Sequence, residues 1–261
     1  MIKTILKTIP QFSDIPLSDL KLQKLSGLTN TNYLVTPSTG SIQKFILRIP
    51  RKETNSFINR KNESHNSTIA EQLNIAPKNV WREKSGISLT KYLENAITPN
   101  INNPQTLEKV ANTLTTLHRS KKKFKGSLDN KKITKLLTQY FALCSKVQQR
   151  SLEPNYQKTL SLLKSPLSKR PAVPSHIDLV LENILQQNDK VWFIDWEYSA
   201  MASPFWDIAT LCHSEQLDSA KSTELLTKVL IDCQLSDIEH LKQYRFIVKT
   251  FSDCWQSAFN N

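Results

Sequence analysis

Short strand-like apolar runs bounded by polar turns, with one helical stretch among them, fill the first third of the chain, and helical spacing takes over after them. Gly27-Leu-Thr-Asn-Thr-Asn-Tyr-Leu-Val35 reads as a polar turn entering a strand. Pro37-Ser-Thr-Gly40-Ser reads as the turn to a second strand, Lys44-Phe-Ile-Leu-Arg48-Ile, which Pro50 closes. Residues 54–74 predict a helix with Phe57, Ile58, Ile69, Ala70 and Leu73 as apolar positions, and Asn79-Val-Trp-Arg-Glu83 predicts another strand. After Gly86, helical spacing is expected over Leu89–Asn95, Thr106–Arg119, Lys132–Gln149 and Tyr156–Leu163. A proline-rich stretch, residues 169–175, interrupts it. Gln186-Gln-Asn-Asp-Lys190 then predicts a hairpin turn between Asn183-Ile-Leu and Val191-Trp-Phe-Ile, with helices following to the C-terminus.

These elements imply an α+β chain. A small β-rich lobe with one helix, residues 1–84, meets a larger mainly helical lobe, residues 85–261, across a hinge near Glu83–Gly86. The 261 residues suffice for two such lobes around one cleft.

Composition narrows the function little. The chain is 39% hydrophobic and 22% charged, which argues against wholesale disorder. The net charge of +12 invites a nucleic-acid partner. The densest basic run, Lys121-Lys122-Lys123-Phe-Lys125, reads as a solvated loop, and no nucleic-acid motif accompanies it. The four cysteines lack metal-ligand spacing and read as free thiols of a reducing compartment. No run is long and apolar enough to span a membrane, and the polar N-terminus does not read as a secretory signal. A cytoplasmic protein is expected.

The chemistry concentrates in His176-Ile-Asp178-Leu-Val-Leu-Glu-Asn183 and in Val191-Trp-Phe-Ile-Asp195-Trp-Glu197. An acid, an asparagine five residues on, and a second acid ending an apolar run are what phosphoryl transfer uses. One carboxylate orients a hydroxyl, while an amide oxygen and another carboxylate hold magnesium on nucleotide phosphates.

With these motifs the chain resembles the choline kinase and aminoglycoside phosphotransferase group, and bacterial choline kinases most. Ser26–Tyr33, Phe45–Pro50 with Phe57–Glu63, the Asp178 motif, and Ile194–Tyr198 with Pro204–Ala209 carry the resemblance. It implies a bilobal protein-kinase-like fold and ATP and Mg2+ as cofactors. Asp178 would serve as catalytic residue with His176 bracing its loop, and Asn183 and Asp195 as metal ligands. Arg48 would take the phosphate-binding place, paired with Glu63; Thr29, Asn30, Thr31 and Asn32 would cradle phosphates without a GxGxxG loop. Leu181 and Ile177 depart from the family pattern. Asp207 would lock the catalytic loop.

The substrate implied is a small amino alcohol, choline first. Glu197, Tyr198, Trp206 and Trp255 are candidate substrate-binding residues, the tryptophans as faces for a quaternary ammonium. Ethanolamine, thiamine and aminoglycosides are alternative acceptors, and a catalytically silent nucleotide-binding module is the alternative outside enzymes. His118, on the apolar face of its helix, reads as a core or interface histidine.

Overall fold

The computed structural model describes residues 2–25, 30–38, 43–51, 58–164 and 167–259. Gly27, Thr29, Gly40 and Phe57 lie outside them.

Strands β1 (Leu20–Leu25), β2 (Asn30–Pro37), β3 (Phe45–Pro50), β4 (Asn79–Arg82) and β5 (Ser88–Lys91) form an antiparallel sheet in the order β1-β2-β3-β5-β4. Side chains alternate across a strand. Phe45 and Leu47 of β3 therefore enter a core with Leu6, Ile9, Phe12, Val35 and Leu89, beneath helix α1 (Ile2–Thr8). Arg48 takes the opposite face. Asn32 on β2 and Ser88 on β5 are its cross-strand neighbours, so a polar row is built on that face. Helix α2 (Arg60–Gln72) starts at Asn59, whose side chain accepts the Asn62 N–H at 3.1 Å.

The structure moves the expected lobe boundary. Glu83–Gly86 is the β4–β5 hairpin turn, not a hinge: the Gly86 N–H bonds the Glu83 carbonyl at 3.0 Å, and Gly86 has φ +94°. Leu89 is a fully buried strand residue, and the chain leaves the sheet after Lys91. Four residues are too few for periodicity to separate strand from helix.

The larger lobe holds α3 (Pro104–His118), α4 (Asn130–Leu143), α5 (Lys146–Leu162), α6 (Pro204–Ser214), α7 (Ser219–Val229) and α8 (Leu235–Phe259). The helix expected over Lys132–Gln149 is broken at Cys144–Ser145. There Ser145 and Gln148 form a capping box that starts α5, and α5 continues through Pro154 into the expected Tyr156–Leu163 helix. The predicted hairpin is present as β8 (Ile184–Gln187) and β9 (Lys190–Phe193). Three short strands, β6 (Ser127–Leu128), β7 (Val173–Ser175) and β10 (Ala200–Ala202), pair in the order β6-β10-β7. Asp178 therefore follows a strand that pairs with β10, not with β9. Among the described residues no helix is long and apolar enough to cross a membrane.

Candidate active site

A cleft of about 2180 Å³ runs between the sheet's polar face and the large lobe. A single small-ligand site usually takes ~300–1,000 Å³, so two molecules can lie here together. Asn30, Thr31, Asn32, Arg48, Glu63, Asp178, Asn183, Asp195, Glu197, Tyr198, Trp206 and Trp255 all line it. His176 does not.

Asp178 lies in the loop after β7. The Asn183 amide donates to its carbonyl at 2.9 Å and to its carboxylate at 3.1 Å. That turns the Asn183 carbonyl oxygen away from Asp178 and leaves it available as a ligand. Burial, then the charges of Asp195 and Glu197, push the Asp178 carboxyl up to about 7, against the Asn183 hydrogen bond. A carboxylate near neutrality suits proton transfer at physiological pH.

The loop is held in a conformation its sequence does not favour. Ile177 has φ +74°, rare for a β-branched residue. The buried Asp207 carboxylate accepts the backbone N–H groups of His176 at 3.0 Å and Ile177 at 2.8 Å. The Trp206 indole N–H bonds the Ile177 carbonyl at 2.9 Å. His118, on α3, meets the same Asp207 at 3.0 Å, so it joins this buried network rather than apolar packing alone. His176 is fully buried, and its Nε2 meets the Ile194 carbonyl at 2.8 Å, which ties the Asp178 loop to the Asp195 segment. A carbonyl partner requires the proton on Nε2, and burial holds the imidazole below its usual pKa. His176 is thus a brace, not a group that reaches the cleft.

Arg48 forks between two acids: Nη1 to Glu63 at 2.5 Å, and Nη2 to Glu197 at 2.5 Å with Asp195 at 3.4 Å. Arg60 adds Nη1 contacts to Glu63 at 2.7 Å and Glu197 at 3.5 Å. Despite burial, Arg48 and Arg60 hold the Glu63 carboxyl below its usual range. Glu197 is buried, and its Oε2 is engaged by both arginines. Sequence reasoning missed Arg60, although Arg60 and Glu63 stand at i,i+3 on one helix face. Asn30 was expected in a phosphate cradle. It lines the cleft as a buried strand residue and donates to Glu197 at 3.2 Å and Asp195 at 3.4 Å.

Glu63, Asp178, Asp195 and Glu197 bring four carboxylates to this part of the cleft. Asp195 Oδ1 and Glu197 Oε1 are buried oxygens without a hydrogen bond among the described residues. Of the two, Asp195 Oδ1 has the 3.4 Å ion pair to Arg48, and hard anionic oxygens without hydrogen bonds fit a divalent cation. Magnesium needs only one or two protein carboxylates, so the donor set fits it.

Trp206 lines the cleft but is 3% exposed, and its indole N–H bonds the Ile177 carbonyl, so it also anchors the loop. Trp255 is half-buried on α8 and keeps a surface toward the cleft. Tyr140 and Phe251 also line this end, and sequence reasoning did not single them out for the site.

A five-stranded lobe over a helical lobe, with these side chains at the join, defines an ATP-dependent phosphotransferase of the protein-kinase-like fold. The family model for choline/ethanolamine kinases matches residues 22–251, and the chain belongs to that family. It is 32% identical over 237 residues to protein LicA of Haemophilus influenzae, covering 86% of this chain and 67% of the relative. The crystal structure of choline kinase LicA from Streptococcus pneumoniae superposes with a TM-score of 0.78 at 25% identity, covering 99% of this chain and 95% of that one. An ADP-bound aminoglycoside phosphotransferase, APH(2'')-Ib, shares the fold with a TM-score of 0.62 at 16% identity, covering 96% and 97%.

Proposed function

We propose that this choline/ethanolamine kinase family member transfers the γ-phosphoryl group of Mg·ATP to the hydroxyl of choline. The observation that carries the reading is the convergence of Asp178, Asn183, Asp195 and Arg48 on one cleft, with aromatic residues at its acceptor end.

Asn183 and Asp195 would hold magnesium, which supplies positive charge against the nucleotide phosphates. Arg48, oriented by Glu63 and Glu197, offers its guanidinium to the nucleotide side of the cleft. Asp178 accepts the hydroxyl proton as the alcohol oxygen forms its bond to phosphorus and ADP leaves. The transition state is loose, so alignment by the clamped Asp178 loop contributes more than base strength.

The aromatic part of the lining supports choline. Tyr140, Tyr198, Phe251 and Trp255 offer aromatic surface, while Asp253 is already paired with Lys249 at 2.6 Å. The four free cysteines accord with a cytoplasmic, reducing setting.

ADP release is measured with Mg·ATP against choline, ethanolamine, thiamine and kanamycin, with Asp178→Asn as control. Turnover with choline that Asp178→Asn loses supports the reading. Turnover with another acceptor alone overturns the substrate, and none with any acceptor overturns the activity.

A further inference from the structure

Helix α2 buries the wrong kind of stripe for a surface helix. Glu63, Asn66 and Ser67 are among its buried residues, and Asn66 is 0% exposed. Buried polar side chains are costly unless hydrogen-bonded. Asn66 is bonded on both sides of its amide. Oδ1 accepts the Lys125 N–H at 2.8 Å. Nδ2 donates to the Lys125 carbonyl at 3.1 Å, and to the Ser199 carbonyl at 2.8 Å and hydroxyl at 3.3 Å.

Both partners belong to the large lobe. Lys125 precedes β6, and Ser199 stands two residues after Glu197, its hydroxyl bonded to the Trp196 carbonyl at 2.6 Å. Neighbouring groups on the same helix face join in. His65 Nε2 meets the Lys123 carbonyl at 3.3 Å. Asn62 lies where a Cβ on Gly126 would come within 3.1 Å of its amide, and Gly126 has φ +85°. The close approach of α2 to this loop therefore favours glycine there.

One turn from Asn66, Glu63 grips Arg48 and Arg60, and both arginines also reach Glu197. Asn66 thus spans the two backbone segments that carry the acids of the arginine network. We propose that Asn66 is a positioning residue that fixes α2 to the large lobe, so that Glu63 and Glu197 hold Arg48 aimed at nucleotide. The proposal rests on the nucleotide role given to Arg48 above.

The test compares Asn66→Ala and Asn66→Asp with Leu225→Ala, a core truncation on α7 that destabilises the fold away from the cleft. KM and kcat are measured for Mg·ATP and for choline, or for whichever panel alcohol turns over, with amide hydrogen exchange across residues 60–72. Both Asn66 variants are expected to lower kcat/KM for ATP by on the order of tenfold or more. The acceptor KM is expected to stay within about twofold. Exchange in α2 rises above that of Leu225→Ala. If Asn66→Asp matches Leu225→Ala in both kinetics and exchange, Asn66 is an ordinary structural residue and the proposal fails. Arg48→Ala separates the two claims. If it leaves the ATP KM unchanged, the nucleotide reading fails and exchange alone decides the lock: faster exchange upholds it and unchanged exchange overturns it.

Discussion

Asp207 on α6 accepts the Ile177 backbone N–H at 2.8 Å and so holds a β-branched residue at φ +74°. The loop that presents Asp178 is therefore imposed from outside rather than preferred by its own residues. Removing the carboxylate strands buried N–H groups of His176 and Ile177. Asp207→Ala is expected to cost about 3 kcal/mol in urea unfolding and to lower kcat more than it raises either KM. Unchanged kcat in the folded variant would show that the loop holds itself.

Ile177→Gly tests the strain directly. Glycine relieves roughly 1–3 kcal/mol of backbone strain, against lost packing and a more disordered unfolded chain. The net cost is expected below about 1 kcal/mol, where half-buried isoleucine to glycine ordinarily costs ~2–4 kcal/mol. A full loss of that size in chemical denaturation rules the strain out.

Asp178 sets a pH dependence whose sign is fixed. Its folded pKa of about 7 lies above the ordinary 3.8, so the proton favours the fold. This group's stability contribution is complete below about pH 4 and is lost as pH rises through 7. Asp178→Asn removes the penalty, so its Tm gain over wild type is large at pH 8 and shrinks toward pH 4. Activity takes the opposite course, rising with pH as the base ionises, and the substitution lowers kcat by roughly 10²–10⁴-fold. A Tm difference that does not vary with pH contradicts the raised pKa.

Arg48→Lys replaces a fork with a point charge that cannot bridge Glu63 and Glu197 at once. The ATP KM is expected to rise about tenfold, with the acceptor KM little changed. Equal kinetics for the two enzymes would mean that charge alone suffices.

The two tryptophans are expected to separate by role. Trp206→Phe loses the hydrogen bond to Ile177 and is expected to lower kcat at constant choline KM. Trp255→Ala is expected to raise choline KM, by about tenfold for a desolvated cation–π contact, at constant kcat. The reverse pattern would place Trp206 in the cage.

Much of the candidate site is legible in the sequence because its residues sit in short contiguous motifs that the structure brings to one cleft. The Asp178–Asn183 spacing and the acid after an apolar strand survive as local sequence, and so did the β8–β9 hairpin with its polar turn. Arg48 and Glu63 were found through resemblance, and the structure joins them at 2.5 Å. That Leu47 and Arg48 take opposite faces of β3 came from the structure, because Phe45-Ile46-Leu47 is an unbroken apolar run with no alternation to read. The β5 strand was misread because four residues fit either period, and the break at Ser145 was missed because its cap lies inside continuous helical spacing.

The sequence by itself determined the chemistry available: two carboxylates, an amide, an arginine fork, and an α+β order of elements to carry them. Only the tertiary structure decided what Arg60, Asn66 and Trp206 bond. Their partners lie at Glu197, Lys125 and Ser199, and Ile177, far from them in sequence except where Arg60 also meets Glu63. Hydrogen-bond partners across such separations are set by how helices and strands pack, which no local period encodes.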